Sequence, residues 1–313
     1  MRPLADGWSA PRWCVLLLAA AIVMTLGACS ASAPAKSAAT PTASGTPAQT
    51  SYDLAYADAS PLQQLDLYPP VRAAGPAPLL IWIHGGGWRA GDKSAIAAPY
   101  NPAITPPKPA KCNQVVEVQK PDVAALNAKG YAVASINYRL TRDPVAAVQD
   151  AKAAVRFLRA NASRYHLDPQ RFAAWGDSAG GYSAIMLGVT GGLTTVFDDP
   201  ALGHANVSAA VQAVVDWFGP TEASSLPGRH SQAELPFTYL TARRSLPPFR
   251  IANGDADCVV PPGQSRRLLD ALTKVGTAAT LAILPGAGHE DPAFMRTQLA
   301  PTVAFLDQTI GPK

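Results

Sequence analysis

The stretch 175–187, WGDSAGGYSAIML, sets one serine between two glycines and runs directly into a small-residue apolar segment. Glycine costs a helix or strand about 0.5–1 kcal/mol relative to alanine, so Gly176 and Gly180 need a reason. The pattern Gly176-Asp177-Ser178-Ala179-Gly180 fits G-x-S-x-G, which carries weight only where a strand precedes it and a helix follows. The apolar run RFAAWGDS (171–178) supplies the strand, and Ala179 with Gly181 opens a helix. In such a turn, side chains at the flanking positions would collide with neighbouring elements. Ser178 is therefore a candidate nucleophile.

Working outward, short apolar runs alternate with segments of helical period. PLLIWIHGGG (78–87), YAVASINYRL (131–140), VQAVVDWFG (211–219), FRIANGDAD (249–257) and ATLAILPGAG (279–288) read as buried strands ending in loops. Between them, Val148, Val155, Leu158 and Ala162 fall on one helical face, and Asp143 followed by Pro144 is a good helix start. The alternation predicts an α/β fold with a mostly parallel sheet covered on both faces. SYDLAYAD (51–58) and LQQLDLYPP (62–70) predict an antiparallel pair at one edge. Two stretches interrupt the alternation. Residues 94–122 are too proline-rich for a helix or central strand. Residues 219–248 are polar and irregular, and neither stretch is long enough for a large cap domain.

The N-terminus reads as a targeting segment. Arg2 and Arg12 precede the apolar run 14–26, and LGAC ending at Cys29 resembles the lipobox of bacterial lipoproteins, in which the cysteine is diacylated. Two acyl chains suffice for stable anchoring, whereas the apolar run is short for a membrane span. Residues 30–51 are rich in Ser, Ala, Pro and Thr and read as a flexible tether. The expected organisation is a signal peptide over 1–28, a tether over 29–51 and one catalytic domain over 52–313, exported and held at the bacterial membrane. The net charge of +4, without a basic cluster, argues against a nucleic-acid partner. Of four cysteines, Cys112 and Cys258 remain in the body, and two thiols in an exported domain suggest a disulfide.

A serine hydroxyl needs a base. Among five histidines, His289 follows the last strand on a glycine-rich loop, with Asp291 and Pro292 opening the final helix. His166, His204 and His230 read as loop residues exposed to solvent, and His84 as an organising hydrogen-bonder. The base needs an acid partner, for which chain order offers Asp255 and Asp257, with Asp216 as a third candidate whose place inside its strand looks structural. IHGGGW (83–88) closes an earlier strand, and glycine amides there can face a developing oxyanion. A phosphate loop is disfavoured because no lysine–serine pair follows the glycines.

Taken in order, HGGGW, SINYRL, DAKAAVRFLRANASRYHLDPQRFAAWGDSAGG, PPFRIANGDADCVVPPGQS and GAGHED resemble the α/β-hydrolase superfamily, from about Leu65 to the C-terminus. The likeness is to bifunctional acetylxylan/feruloyl esterases and to hormone-sensitive-lipase-like esterases. The resemblance implies Ser178 as nucleophile, His289 as base and oxyanion donors at Gly86, Gly87 and Ala179. The pattern H-G-x-x-D-x-x-V-P around the acid falls on Gly254, Asp257, Val260 and Pro261, which implies Asp257 rather than Asp255. Asn253 stands where that pattern has histidine. A Cys112–Cys258 bridge would then pin the proline-rich loop beside the acid. Trp88, Tyr100, Trp217 and Phe218 are candidate pocket walls or core. The expected activity is hydrolysis of a small-molecule ester with short acyl groups, with no metal or cofactor. An amidase or peptidase of the same fold and a non-catalytic binding lipoprotein are the alternatives.

Overall fold

The computed structural model describes residues 49–71, 75–94, 121–241 and 244–312. The signal, most of the tether, Cys29, Tyr100 and Cys112 lie outside them. Eight strands form one sheet: β1 (Ser51–Ala55), β2 (Gln64–Tyr68), β3 (Ala77–Ile83), β4 (Ala132–Ile136), β5 (Leu167–Asp177), β6 (Ala213–Trp217), β7 (Phe249–Gly254) and β8 (Ala279–Leu284). Their spatial order is β1-β2-β4-β3-β5-β6-β7-β8. β1 pairs antiparallel with β2, and β2 with β4, while every pair from β4 to β8 is parallel. The antiparallel edge is the pair anticipated from 51–70.

The near-continuous apolar strands are buried on both faces, as parallel strands under helices must be. Leu79, Ile81 and Ile83 of β3 turn to one layer and Leu80 and Trp82 to the other. The first layer holds α2 (Pro144–Ala160), α3 (Ala179–Thr190) and α4 (Pro262–Lys274), contributing Val148, Ile185 and Leu268. The second holds α1 (Val123–Ala128) and α5 (Ala293–Thr309), contributing Leu126, Phe294 and Leu306. α2 starts as the sequence indicates: the Asp143 carboxylate accepts from Val145 N, with Pro144 in the first turn. Asp291 likewise accepts from Ala293 N at the start of α5.

The irregular stretch between β6 and β7 contains three short 3₁₀ turns, at Ala223–Ser225, Gln232–Glu234 and Pro236–Tyr239, and no α-helix among its described residues. Leu226 is buried from it, and Leu235, Tyr239 and Leu240 pack against the core. No helix among the described residues is long and apolar enough to cross a membrane.

Candidate active site

The carboxyl ends of β3, β5, β7 and β8 each deliver one part of the site, which is where an open α/β sheet places its ligand crevice. β5 ends at Asp177, and Ser178 follows with φ 51° and ψ −118°, outside the usual allowed regions for a residue bearing a side chain. Such a conformation costs on the order of 1–3 kcal/mol and persists only where the surroundings enforce it. They do so by close packing. A Cβ on Gly176 would lie 2.2 Å from Gly180 O, and one on Gly180 would lie 1.9 Å from Ile83 O. Glycine at both positions is therefore a requirement of the strand-to-helix turn.

Three side chains meet there. His289 Nε2 lies 2.9 Å from Ser178 Oγ, and His289 Nδ1 lies 2.8 Å from Asp257 Oδ2. All three residues are buried, with exposures of 8%, 6% and 4% for Ser178, His289 and Asp257. Asp257 Oδ1 accepts from Val259 N and Val260 N at 2.9 Å each, which fixes the carboxylate with one oxygen left for the imidazole. Nδ1 then carries the proton donated to Asp257, and Nε2 is left as the acceptor facing the serine hydroxyl.

The rival acids lie elsewhere. Asp255 accepts from Gly286 N on the exposed side of the β7 and β8 ends. Asp216 is fully buried in β6 and accepts from Gly219 N. Asn253, in place of the pattern's histidine, donates to Val260 O and Ser265 Oγ and so ties the acid loop to α4.

After β3 the chain turns sharply through Gly86 (φ 103°) and Gly87 (φ 61°), and a Cβ on Gly86 would lie 2.2 Å from Ala90 O. Gly85 N donates to Asp177 Oδ1 at 2.9 Å, joining this loop to the residue before Ser178. That amide is thereby engaged, whereas those of Gly86, Gly87 and Ala179 donate to no protein acceptor among the described residues. His84 holds the base of the loop: its ring stacks on Tyr138 at 4.4 Å, and Tyr138 Oη donates to His84 O. Lys93, beyond the loop, bridges Asp53 and Asp66 at 2.7 and 2.6 Å and so fastens the chain to β1 and β2.

Of the candidate pocket aromatics, Trp88, Trp217 and Phe218 are all buried core residues, and Tyr100 lies outside the described residues. Phe218 nonetheless touches the site, edge-on to the His289 ring at 4.9 Å. Trp88, with φ 58°, packs edge-on against Tyr182 of α3 at 5.7 Å.

His230 departs from its expected solvent exposure. Its side chain is 5% exposed, with Nδ1 2.6 Å from Glu234 Oε2 and Nε2 2.7 Å from Pro227 O. Burial works to raise the Glu234 pKa, but the hydrogen bonds from His230 and Ser231 outweigh it, so the carboxyl lies below its ordinary value. Tyr182 Oη donates to Glu234 O at 2.7 Å, linking this segment to α3. The His230 contacts are local, within four residues, whereas the Tyr182–Glu234 bond joins segments 52 residues apart, for which residue spacing carries no signal. Cys258, next to Asp257, is disulfide-bonded, and Cys112, the partner expected for it, lies outside the described residues.

The family model described as BD-FAE matches residues 110–236. Esterase LipQ of Mycobacterium tuberculosis is 27% identical over 273 residues, covering 77% of this chain and 57% of that protein. Among solved structures, a truncated carbohydrate esterase from gut microbiota is 27% identical with a TM-score of 0.68, covering 85% of this chain and 98% of that one. Thermogutta terrifontis esterase 2, solved after phosphorylation by paraoxon, is 23% identical with a TM-score of 0.65, covering 84% and 94%. The chain spans 57–60% of the length of three Mycobacterium tuberculosis relatives that it matches over most of its own length.

Proposed function

We propose that this chain, an α/β-hydrolase in fold and in the order of its motifs, is a serine esterase acting on short-chain carboxylic esters. The observation that carries the proposal is the continuous array Asp257–His289–Ser178, with contacts of 2.8 and 2.9 Å. Ser178 Oγ attacks the ester carbonyl carbon while its proton passes to His289 Nε2. Asp257 stabilises the imidazolium and keeps its own charge. The carbonyl oxygen becomes an oxyanion facing the amides of Gly86, Gly87 and Ala179; one such donor typically contributes about 2.7–4 kcal/mol in the transition state. Collapse breaks the C–O bond, and His289 returns its proton to the departing alcohol. Water, activated by the same imidazole, then hydrolyses the acyl-serine.

Short acyl groups suit the stretch between β6 and β7, which forms 3₁₀ turns and no α-helix among its described residues. The similarity to a carbohydrate esterase makes acetylated sugars the substrate class to try first. The N-terminal pattern supports diacylation at Cys29 and a tether that holds the enzyme at the outer face of the bacterial membrane. Export also suits a Cys112–Cys258 disulfide.

Turnover of p-nitrophenyl acetate, butyrate and laurate by the full chain in detergent, beside a matched anilide, tests the reading. Fast acetate hydrolysis, falling with acyl length and abolished in Ser178→Ala, is the expected result. Preference for the anilide would mark an amidase. No turnover of either, or turnover that survives the substitution, would sink the Ser178 mechanism.

A further inference from the structure

The turn Trp217–Gly219, which leaves β6, holds both ends of the reacting pair. Trp217 O accepts from Ser178 N at 2.9 Å, so the nucleophile's own amide is fixed by this turn. Phe218, with φ 44° and no exposure, presses its ring edge-on to His289 at 4.9 Å, and its amide donates to Ala252 O at 2.8 Å. The turn is closed by Asp216, whose Oδ1 accepts from Gly219 N at 2.8 Å. The helix behind the nucleophile packs on the same carboxyl: a Cβ on Gly181 would lie 2.7 Å from Asp216 Oδ1 and 2.9 Å from Gly219 Cα.

Asp216 is 0% exposed, and its Oδ2 has no hydrogen-bond partner among the described residues. If the position only had to be filled, leucine would fill it without the cost of burying a polar group. An acid kept here is being used for its acceptor. Burial raises its pKa to about 8, opposed only by the Gly219 N–H, so the protonated form is favoured at pH 7. On the elements packed against β6, Asp177 of β5, Tyr182 of α3, Arg250 of β7 and Asp307 of α5 have no part in the shift, nor do Asp257 and His289 beyond the ends of β7 and β8.

We infer that Asp216 is a positioning residue for the triad, a buried acid that clamps the Trp217–Gly219 turn and through it sets Ser178 and His289. Its kinetic consequence rests on the serine-esterase reading, whereas its effect on the turn does not. Asp216→Asn keeps a neutral acceptor of the same shape, and Asp216→Leu removes it. Two readouts on the full chain decide the matter: steady-state kinetics with p-nitrophenyl acetate from pH 6 to 10, and hydrogen exchange at the amides of Ser178 and Gly219. D216N is expected to keep kcat at pH 7 within about twofold, to keep slow exchange, and to lose the fall in kcat above pH 8 that ionisation of Asp216 imposes on the wild type. D216L is expected to lose about 10- to 100-fold in kcat with KM little changed, as for a misplacement of about 1 Å, and to exchange faster at both amides.

D216L matching the wild type in kcat and exchange would overturn the inference. So would D216N falling as far as D216L, because the site would then need the charge. Should D216L fail to fold, D216N still decides: an alkaline fall in kcat retained at the same pH counts against Asp216, and its removal with unchanged exchange counts for it. A wild type inactive on every ester would count against the esterase reading, and the exchange rates alone would then judge Asp216.

Discussion

Ser178 stands on a strained backbone with its hydroxyl aimed at His289, and Asp257 is held by two amides before it meets the imidazole. Each triad residue is thus oriented by contacts that exist without substrate, and single substitutions should separate their roles. Ser178→Ala should lower kcat on p-nitrophenyl acetate by about 10⁶-fold with the fold intact. Asp257→Asn should cost about 10⁴-fold by favouring the wrong imidazole tautomer. Asp255→Asn should leave kcat nearly unchanged, since that carboxylate only caps Gly286 N. Asp216 makes a separate prediction about stability. Its pKa in the folded chain, about 8, lies above the ordinary 3.8, so the folded state binds the proton more tightly than the unfolded state. Its contribution is fully present below about pH 4 and is lost as pH rises towards 8. Asp216→Asn removes that slope, so its melting temperature should exceed the wild type's more at pH 8 than at pH 5, as thermal unfolding at the two values would read.

Elements matter here for how closely they approach. β3, β5 and α3 converge so tightly at Gly176 and Gly180 that no side chain fits, and the turn at Ser178 is the product of that crowding. Gly180→Ala puts a carbon against Ile83 O, a backbone atom that cannot yield without displacing β3. Overpacking of this kind costs about 1–3 kcal/mol or more, and the expected result is loss of soluble, folded protein on expression. The start of α2 behaves differently. Asp143→Ala removes the cap of α2, remote in the chain from every triad residue, and should cost about 1 kcal/mol. Urea unfolding should register that loss while the kinetic constants stay put.

At the scale of the whole molecule, one sheet with helices on both faces leaves its strand ends free to carry loops, and the chemistry gathers there. The disulfide at Cys258 sits one residue from Asp257. Peptide mapping of the non-reduced protein should recover Cys112 joined to Cys258. Closing so long a loop typically contributes about 2–5 kcal/mol, so reduction should lower the melting temperature. Both thiols found free would remove the pairing.

The strand–helix alternation, the edge hairpin, the start of α2 and the G-x-S-x-G turn were legible because each is written in local pattern: apolar runs, helical period, a capping aspartate, paired glycines. Ser178 and His289 could be proposed from the same local reading, since each follows a strand. Asp257 could not be separated from Asp255 and Asp216 on residue type, and needed the resemblance before geometry placed its carboxyl on His289. Contact between distant segments was settled by the folded chain alone. Gly85 N on Asp177, Trp217 O on Ser178 N, Phe218 against His289 and Glu234 O on Tyr182 Oη join elements whose spacing in the chain carries no signal. A sequence records periodicity and propensity along the chain. Which buried acid touches the imidazole, and which closes the turn behind it, is fixed by how the strands pack side by side.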